Sequence, residues 1–381
     1  MKKDWTYKKL GEVCVGEASN IALNKIADNV GDYPLYGASG YAKSIDFYKQ
    51  ENEYIGIVKD GAGVGRVGIY PAKSSLVGTM QYILPKSDVL LRYLHYVLKG
   101  LDLSKLVSGA TIPHIYFKDY SKLSIPIPPL SIQRSIVSEL DLLHSLIEKK
   151  QEQLRALDNL AQSLFYQMFG DPITNPMGWQ VKKLGEVGNF ARGVSKHRPR
   201  NAPELLGGDM PLIQTGDISN SGIYIQQYTQ TYSELGVAQS KIWEPGTLCI
   251  TIAANIGKAS ILTFKACFPD SIVGFQANHD IAEILYMYFV FSFLQSILEE
   301  NAPAVAQKNI NLQILSQVKI PLPPLSLQQS FAAKVSAIEE QKRFISQSIK
   351  DVESLLAQRM DQYFSSLPVS VLPPVVHDGS K

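Results

Sequence analysis

Residues Pro128 to Phe169, PPLSIQRSIVSELDLLHSLIEKKQEQLRALDNLAQSLFYQMF, read as one long helix whose pattern returns later in the chain. Its apolar positions Ile136, Leu140, Leu143, Ile147, Leu154, Leu157, Ala161, Leu164 and Met168 step by three and four and miss once, at Lys150. That is a heptad seam. Pro128 and Pro129 can only precede a helix, Ser131 suits an N-cap, and Gly170 and Pro172 stop the run. At about 1.5 Å per residue the stretch from Ser131 to Phe169 would span roughly 58 Å. A helix of that length is expected to act as a spacer.

The motif IPIPPLSIQ at Ile125 to Gln133 reappears 195 residues on as IPLPPLSLQ at Ile320 to Gln328. The same offset places Phe331, Val335, Ile338, Ile345, Ile349, Val352, Leu356 and Tyr363 on an equivalent seam, with Lys342 opposite the position of Ile147. An isolated helix of this kind is marginal in water and exposes its apolar stripe. The two helices are therefore expected to pair. Phe165, Met168, Phe169, Met360, Tyr363 and Phe364 gather at their ends and are expected to offer apolar surface beyond a single seam.

The chain opens with WTYKKLGEV at Trp5 to Val13, which returns as WQVKKLGEV at Trp179 to Val187. The offset here is 174, so the second globular half is 21 residues longer within the same frame. Both halves are rich in short apolar runs broken by Gly and Pro, such as YIGIVKDG at Tyr54 to Gly61 and GTLCITIAANIGKASIL at Gly246 to Leu262. Each half closes with a tyrosine-bearing apolar helix, at Val89 to Gly100 and at Ile281 to Leu298, expected to pack on its sheet.

With 381 residues, 45% apolar and 19% charged, the chain has the composition of an ordinary soluble protein with two or three domains. No long apolar run marks a membrane span, and the N-terminal stretch lacks the apolar centre of a signal peptide, so a cytoplasmic protein is expected. Cys14, Cys249 and Cys267 are scattered and odd in number, which speaks for buried thiols rather than disulfides or zinc. The net charge is only +2, but residues 1–124 carry sixteen Lys or Arg against twelve acids, whereas residues 175–319 carry eleven of each. A second basic cluster, Arg192, Lys196, His197, Arg198 and Arg200, lies in a stretch free of acids from Asn189 to Asn201.

Gly63, Gly65 and Gly68 satisfy GxGxxG, yet Ile69, Tyr70 and Pro71 follow where a dinucleotide fingerprint needs a helix. The second half keeps Gly257 and puts Lys258 where the first has Arg66. Both read as tight turns between strands that present one basic side chain, and a plain hairpin serves as well as a phosphate contact. Catalytic signatures are missing: there is no NPPY tetrapeptide, no HExxH or HxxxH spacing, no GxSxG elbow, and Pro269–Asp270 lacks the acid-x-lysine of a nuclease.

Two variable halves, each followed by an IP[IL]PPLSxQ turn into a long helix, together with the LGEV starts and PLYGASG at Pro34 to Gly40, resemble the specificity subunit of type I restriction-modification systems. SGATIPHI at Ser108 to Ile115, MPLIQTGDIS at Met210 to Ser219 and QKNI at Gln307 to Ile310 add to the likeness, while Ile132 and Leu327 stand where such subunits usually have Glu. The resemblance implies an α+β fold. Two strand-rich target recognition domains, residues 1–124 and 175–319, would be separated by two long helices at 125–174 and 320–367, with a flexible tail at 368–381. The helices would form an antiparallel coiled coil within an internal pseudo-two-fold repeat. It further implies a non-catalytic protein that reads an asymmetric bipartite site in double-stranded DNA and docks two methyltransferase subunits and a nuclease/translocase subunit. S-adenosylmethionine, ATP and Mg would belong to those partners, and the chain itself would hold no cofactor or metal.

The candidates for DNA contact are Tyr36, Ser39, Lys59, Arg66 and His114 in the first half, and Arg192, Lys196, Arg198, Gln214, Thr215, Lys258, Lys308 and Asn309 in the second. Arg and Lys suit guanine edges or phosphates, and Gln and Asn suit adenine. Helix pairing falls to Ile136, Leu140, Leu143, Leu154, Leu157, Phe331, Val335, Ile338, Ile349 and Val352. Three other readings stay open: a helical scaffold with no DNA role, a methyltransferase fused to its recognition domain, and an orphan or silent copy of a specificity subunit.

Overall fold

The computed structural model describes residues 5–101, 103–109, 113–252, 257–300 and 312–364. The tail at 368–381 lies outside them. The chain forms two compact units, Met1–Gln151 with Gln347–Lys381, and Glu152–Ser346, so each long helix gives one half to each unit.

In the first unit β1 (Thr6–Lys9) leads into a one-turn helix, α1 (Leu10–Val13). Strands β2 (Cys14–Ala18), β3 (Tyr33–Gly37), β4 (Gly40–Ile45), β5 (Tyr54–Val58), β6 (Val67–Tyr70), β7 (Ser75–Leu76) and β8 (Met80–Pro85) follow. The chain then runs through α2 (Leu91–Gly100), α3 (Phe117–Tyr120) and β9 (Ser124–Ile127) into the long helix α4 (Leu130–Phe169). The strands make an antiparallel sheet in the order β2-β8-β5-β6, a small sheet β4-β3-β7, and a two-stranded ribbon β1-β9. Every residue of β5, YIGIV, is buried, as a short uninterrupted apolar run requires. The amphipathic α2 lays Tyr93, Leu94 and Val97 into the core with Ile55, Ile57 and Ile83 of the sheet.

The second unit repeats the frame. It contains β10 (Val181–Lys183), α5 (Leu184–Val187), β11 (Gly188–Arg192), β12 (Leu206–Leu212), α6 (Thr215–Ser219), β13 (Tyr224–Ile225) and β14 (Gln230–Tyr232). After these come α7 (Glu234–Ala238), β15 (Ile242–Trp243), β16 (Leu248–Thr251), β17 (Ala259–Leu262), β18 (Ala266–Cys267) and β19 (Ile272–Ala277). It ends with α8 (Ile284–Glu300), α9 (Leu312–Gln317), β20 (Lys319–Pro321) and α10 (Leu325–Phe364). The sheets are β11-β19-β16-β17-β13, β14-β12-β18-β15 and the ribbon β10-β20. Parallel pairing of Leu35 with Ser75 and of Leu212 with Cys267 fixes the correspondence at an offset of 177, and it is 193 by Val58 and Thr251. Sixteen of the 21 extra residues therefore fall in this interval, where α6, β13, β14, α7 and β15 replace the β4 hairpin.

The repeated words have repeated jobs. In each KKLGEV the glutamate accepts from the backbone N–H three residues earlier, Lys9 to Glu12 and Lys183 to Glu186, both at 3.1 Å. The following leucine N–H donates to Leu123 O and Val318 O, both at 2.9 Å, which fastens the start of each domain to its end. The glutamine that closes each proline turn is fully buried. Gln133 Nε2 donates to Asp88 O and Pro128 O, and its Oε1 accepts from Leu90 N. Gln328 does the same with Ile281 O, Pro323 O and Glu283 N. One amide thus ties the start of the long helix to the start of the domain helix. Tyr93 and Tyr286 add a bond each, to Pro126 O and Pro321 O.

Two expectations change. Ser131 is not the N-cap: α4 begins at Leu130, with Pro129 O accepting from Ile132 and Gln133, because proline's fixed φ already suits a first turn. The rings at the helix ends are not free surface either. Phe165 and Phe169 are buried with Tyr286, Phe289 and Phe331, and Phe364 is buried with Tyr93 and Leu98. The chain's own domain helices cover them. Phe331, Val335 and Ile338 join the same core as Phe165, while Ile136 and Leu140 join that of Phe364. Each unit thus pairs opposite ends of α4 and α10, and the two helices pack antiparallel. Leu143 and Ile349 are buried, and Leu154, Leu157 and Val352 are half-buried. All three cysteines are buried, and burial pushes the Cys14 thiol up to about 12.

Candidate nucleic-acid interface

In the first domain the candidates converge on one end of the sheet. Ala38 and Ser39 form the turn between β3 and β4, with Gly40 at φ 112, a region L-residues avoid. The Arg66 guanidinium reaches over that turn and donates from Nη1 to Ala38 O at 3.0 Å. Tyr36 packs on Tyr70 with ring centroids 5.1 Å apart, joining β3 to β6. The turn between β5 and β6 is closed by Gly65 N to Val58 O and Val58 N to Arg66 O, and Gly61, Gly63 and Gly65 all have positive φ. The glycines serve a hairpin and no phosphate-binding helix follows. Lys59 pairs with Asp60 at 3.1 Å, and its carbonyl accepts from Ile115 N, which sets His114 beside it. The His114 ring stands edge-on to Tyr116 at 4.8 Å.

A short chain segment organises these pieces. Val77 N donates to Tyr36 O, and Thr79 O accepts from Lys59 N and Asp60 N. The segment at Ala266 to Ile272 lies against the corresponding elements of the second domain: Ser271 O accepts from Ile252 N as Thr79 O does from Lys59 N, while Cys267 O and Phe268 O accept from Ile213 N and Val194 N. Gln214, Thr215 and the loop after Arg192 are thereby brought to the same end of their sheet. The ladder row Arg192, Val273, Ile250, Ala259 runs across four strands and ends next to Lys258. Lys258 O accepts from Thr251 N and Thr251 O from Gly257 N, the pattern seen at Arg66 and Gly65. Gln214 Nε2 donates to Gln230 Oε1 at 3.1 Å, and its backbone N–H is held by Asp217. Lys308 and Asn309 lie outside the described residues.

The arginine cluster carries a partner that local composition does not show. Asp270, beside β19, receives both Arg198, at 3.6 Å, and Arg200. Gln239 Oε1 accepts from Lys196 N and His197 N at 2.6 and 3.0 Å, which pins the loop so that the Lys196 side chain stays exposed. Neither Asp270 nor Gln239 was among the expected residues. Among the described residues no group of three or more His, Cys, Asp or Glu could hold a metal, and no helix is long and apolar enough to cross a membrane.

The type I restriction modification DNA specificity domain matches residues 2–156 and 176–354, the two halves in turn. The chain is similar to the type I restriction enzyme MjaIX specificity subunit of Methanocaldococcus jannaschii, 24% identical over a 400-residue alignment that covers 89% of this chain and 87% of that one. It is also similar to the EcoDI specificity subunit of Escherichia coli, 21% identical over 366 residues covering 88% and 81%. In fold it matches the S subunit of a type I system from M. genitalium, with a TM-score of 0.60, 14% identity, and 94% and 96% of the two chains covered. A second solved chain, from work on assembly and conformational transition of the type I R-M system, gives a TM-score of 0.59 at 19% identity over 95% and 98%. The chain, with its repeated strand-rich domains and paired long helices, belongs to the family of type I restriction-modification DNA specificity subunits.

Proposed function

We propose that this chain reads an asymmetric, two-part site in double-stranded DNA, one domain to each half-site, for a complex in which other subunits do the chemistry. The observation that carries the reading is the shared segment in the two domains. The strand that it bonds, at Lys59 or Ile252, leads into a hairpin that presents a basic residue, Arg66 or Lys258, at an equivalent place, while the residues nearby differ between Tyr36 and Ser39 in one domain and Gln214 and Thr215 in the other. A common scaffold with unlike tips suits two different short sequences. Arg66, Lys196 and Lys258 are assigned to phosphates or guanine, Gln214 to adenine, and Tyr36, Ser39, Lys59, His114, Arg192, Thr215 and the Asp270-paired Arg198 to positioning.

In this reading the paired helices dock two methyltransferase subunits, and a nuclease/translocase subunit joins that complex in the cytoplasm. S-adenosylmethionine, ATP and Mg belong to those partners. A net charge of +2 suits such sharing, because larger partners can supply phosphate affinity. The test is to co-express the chain with its methyltransferase subunits and map methylated DNA. A bipartite motif with unlike halves is expected, and replacing residues 14–124 with the same region of a relative should alter one half alone. A methylation pattern without sequence preference, or a replacement that changes both halves, would overturn the proposal.

A further inference from the structure

The apolar seam of α10 is broken by charge at Lys342 and Arg359, the counterparts of Ile147 and Leu164, and the two breaks meet different carboxylates of α4. In the second unit Lys342 Nζ lies 2.7 Å from Asp158 Oδ1 and 2.6 Å from Glu339 Oε1, with 19% of its side chain exposed. Burial acts against the ammonium, but the two carboxylates more than offset it, and its pKa is raised. In the first unit Glu139 is gripped from α10: Arg359 Nε lies 2.8 Å from Oε1, and the Tyr363 hydroxyl donates to Oε2 at 2.5 Å.

None of these residues is kept at the repeat-equivalent position. The 195-residue offset matches Glu139 with Lys334, Arg359 with Leu164, Tyr363 with Met168, Lys342 with Ile147 and Asp158 with Glu353. If two copies of α4 paired in the observed register, each Glu139 would face Leu164 and Met168, and each Asp158 would face Ile147. All four carboxylates would lose their cations. If two copies of α10 paired, Lys342 would find Glu353, but each Lys334 would face Arg359, a like-charge clash that the two-fold relation repeats. A polar residue at a single seam position is a known means of fixing register and partner at some cost in stability.

We infer that the Glu139–Arg359–Tyr363 and Asp158–Lys342–Glu339 clusters form a pairing code. Through them α4 accepts α10 and rejects a second α4, and α10 rejects a second α10. The two repeats therefore recognise each other rather than copies of themselves. This selectivity goes beyond DNA reading and holds whatever the domains bind.

The test uses the full chain with a protease site inserted between Ile173 and Thr174, both exposed, and cleaved after folding. The nicked protein is cycled through mild denaturant, and native mass spectrometry counts the N–C, N–N and C–C pairs of halves. N–C pairs should exceed either like pair by about tenfold or more. Arg359→Glu should raise C–C pairs, because it sets a carboxylate opposite Lys334 of the second copy. Adding Lys334→Glu should remove them again, and adding Glu139→Arg to Arg359→Glu should restore N–C. A statistical mixture from the unmutated chain would overturn the inference. So would Arg359→Glu leaving the ratios unchanged, or C–C pairs indifferent to Lys334→Glu.

Discussion

Gln133→Ala isolates the amide that fastens the long helix to the first domain. Gln133 is fully buried and makes three bonds at 2.9 to 3.0 Å: it donates to Asp88 O and Pro128 O and accepts from Leu90 N. At a net worth of about 1 kcal/mol each, with a further penalty for the Leu90 N–H left unpaired, the loss is on the order of 3 kcal/mol. That is a large share of the ~5–15 kcal/mol by which domains are stable. The loss should concentrate where the bonds are, at the start of α2. Hydrogen exchange by mass spectrometry is the suitable assay, since a two-unit chain need not melt in one step. Amides of the Leu90–Gly100 segment should exchange roughly a hundredfold faster, while those of α8 in the other unit stay unchanged. Gln133→Glu keeps the acceptor for Leu90 but turns a carboxylate toward two carbonyl oxygens, and should protect α2 no better than alanine. Gln328→Ala should transfer the whole effect to α8, and the double variant should show both losses side by side. Unchanged α2 exchange in Gln133→Ala would refute the idea that this amide is a fastening.

The remaining predictions concern the tips and one buried ring. In the complex with methyltransferase subunits, Arg66→Ala should weaken and relax the first half-site and Lys258→Ala the second, each by about 1–3 kcal/mol, as read from binding to a half-randomised DNA pool; equal loss at both half-sites from either variant would contradict the assignment. Burial, helped by Lys99, His144 and Arg92, holds the His95 imidazole down at about 4 against an ordinary 6.5. A base with a depressed folded pKa is neutral in the native state, while the unfolded chain takes up a proton below 6.5. Its contribution is therefore present above pH 6.5 and is lost as pH falls toward 4, by on the order of 3 kcal/mol. His95→Gln should flatten the melting-temperature profile of the first unit between those pH values, and a parallel profile would disprove the linkage.

Much of the fold is legible in the chain because repetition turns one reading into two. The heptad seam, the proline turn and KKLGEV each occur twice, and a helix or ribbon that solves a problem once solves it again. The tips are less legible because their partners are remote in sequence. Asp270, which gathers Arg198 and Arg200, stands 70 residues beyond Arg200, so a stretch without acids reads as uncompensated charge when it is not. Gln133 is visible as a repeated letter at a helix start, but its partners Asp88 and Leu90 lie 45 and 43 residues upstream. The helix-end phenylalanines mislead in the opposite sense: a seam drawn on a helical wheel shows which side is apolar, not that α2 or α8 already lies against it.

The two-stranded ribbons bear on how such a chain diversifies over evolutionary time. In β1-β9 and β10-β20 the first and last strands of each domain pair antiparallel, Tyr7 opposite Pro126 and Lys182 opposite Ile320. Whatever lies between them needs only to leave and return about 4.8 Å apart. The second domain already carries 21 more residues between the same brackets, consistent with a closure cost that grows only slowly with length. Recombination breakpoints that fall in the repeated words at the brackets would exchange whole inserts, as long as each insert brings a domain helix that seats on the ends of α4 and α10 and meets the glutamine of the proline turn. The ribbons thus give inheritance a pair of seams along which the chain can be cut and rejoined.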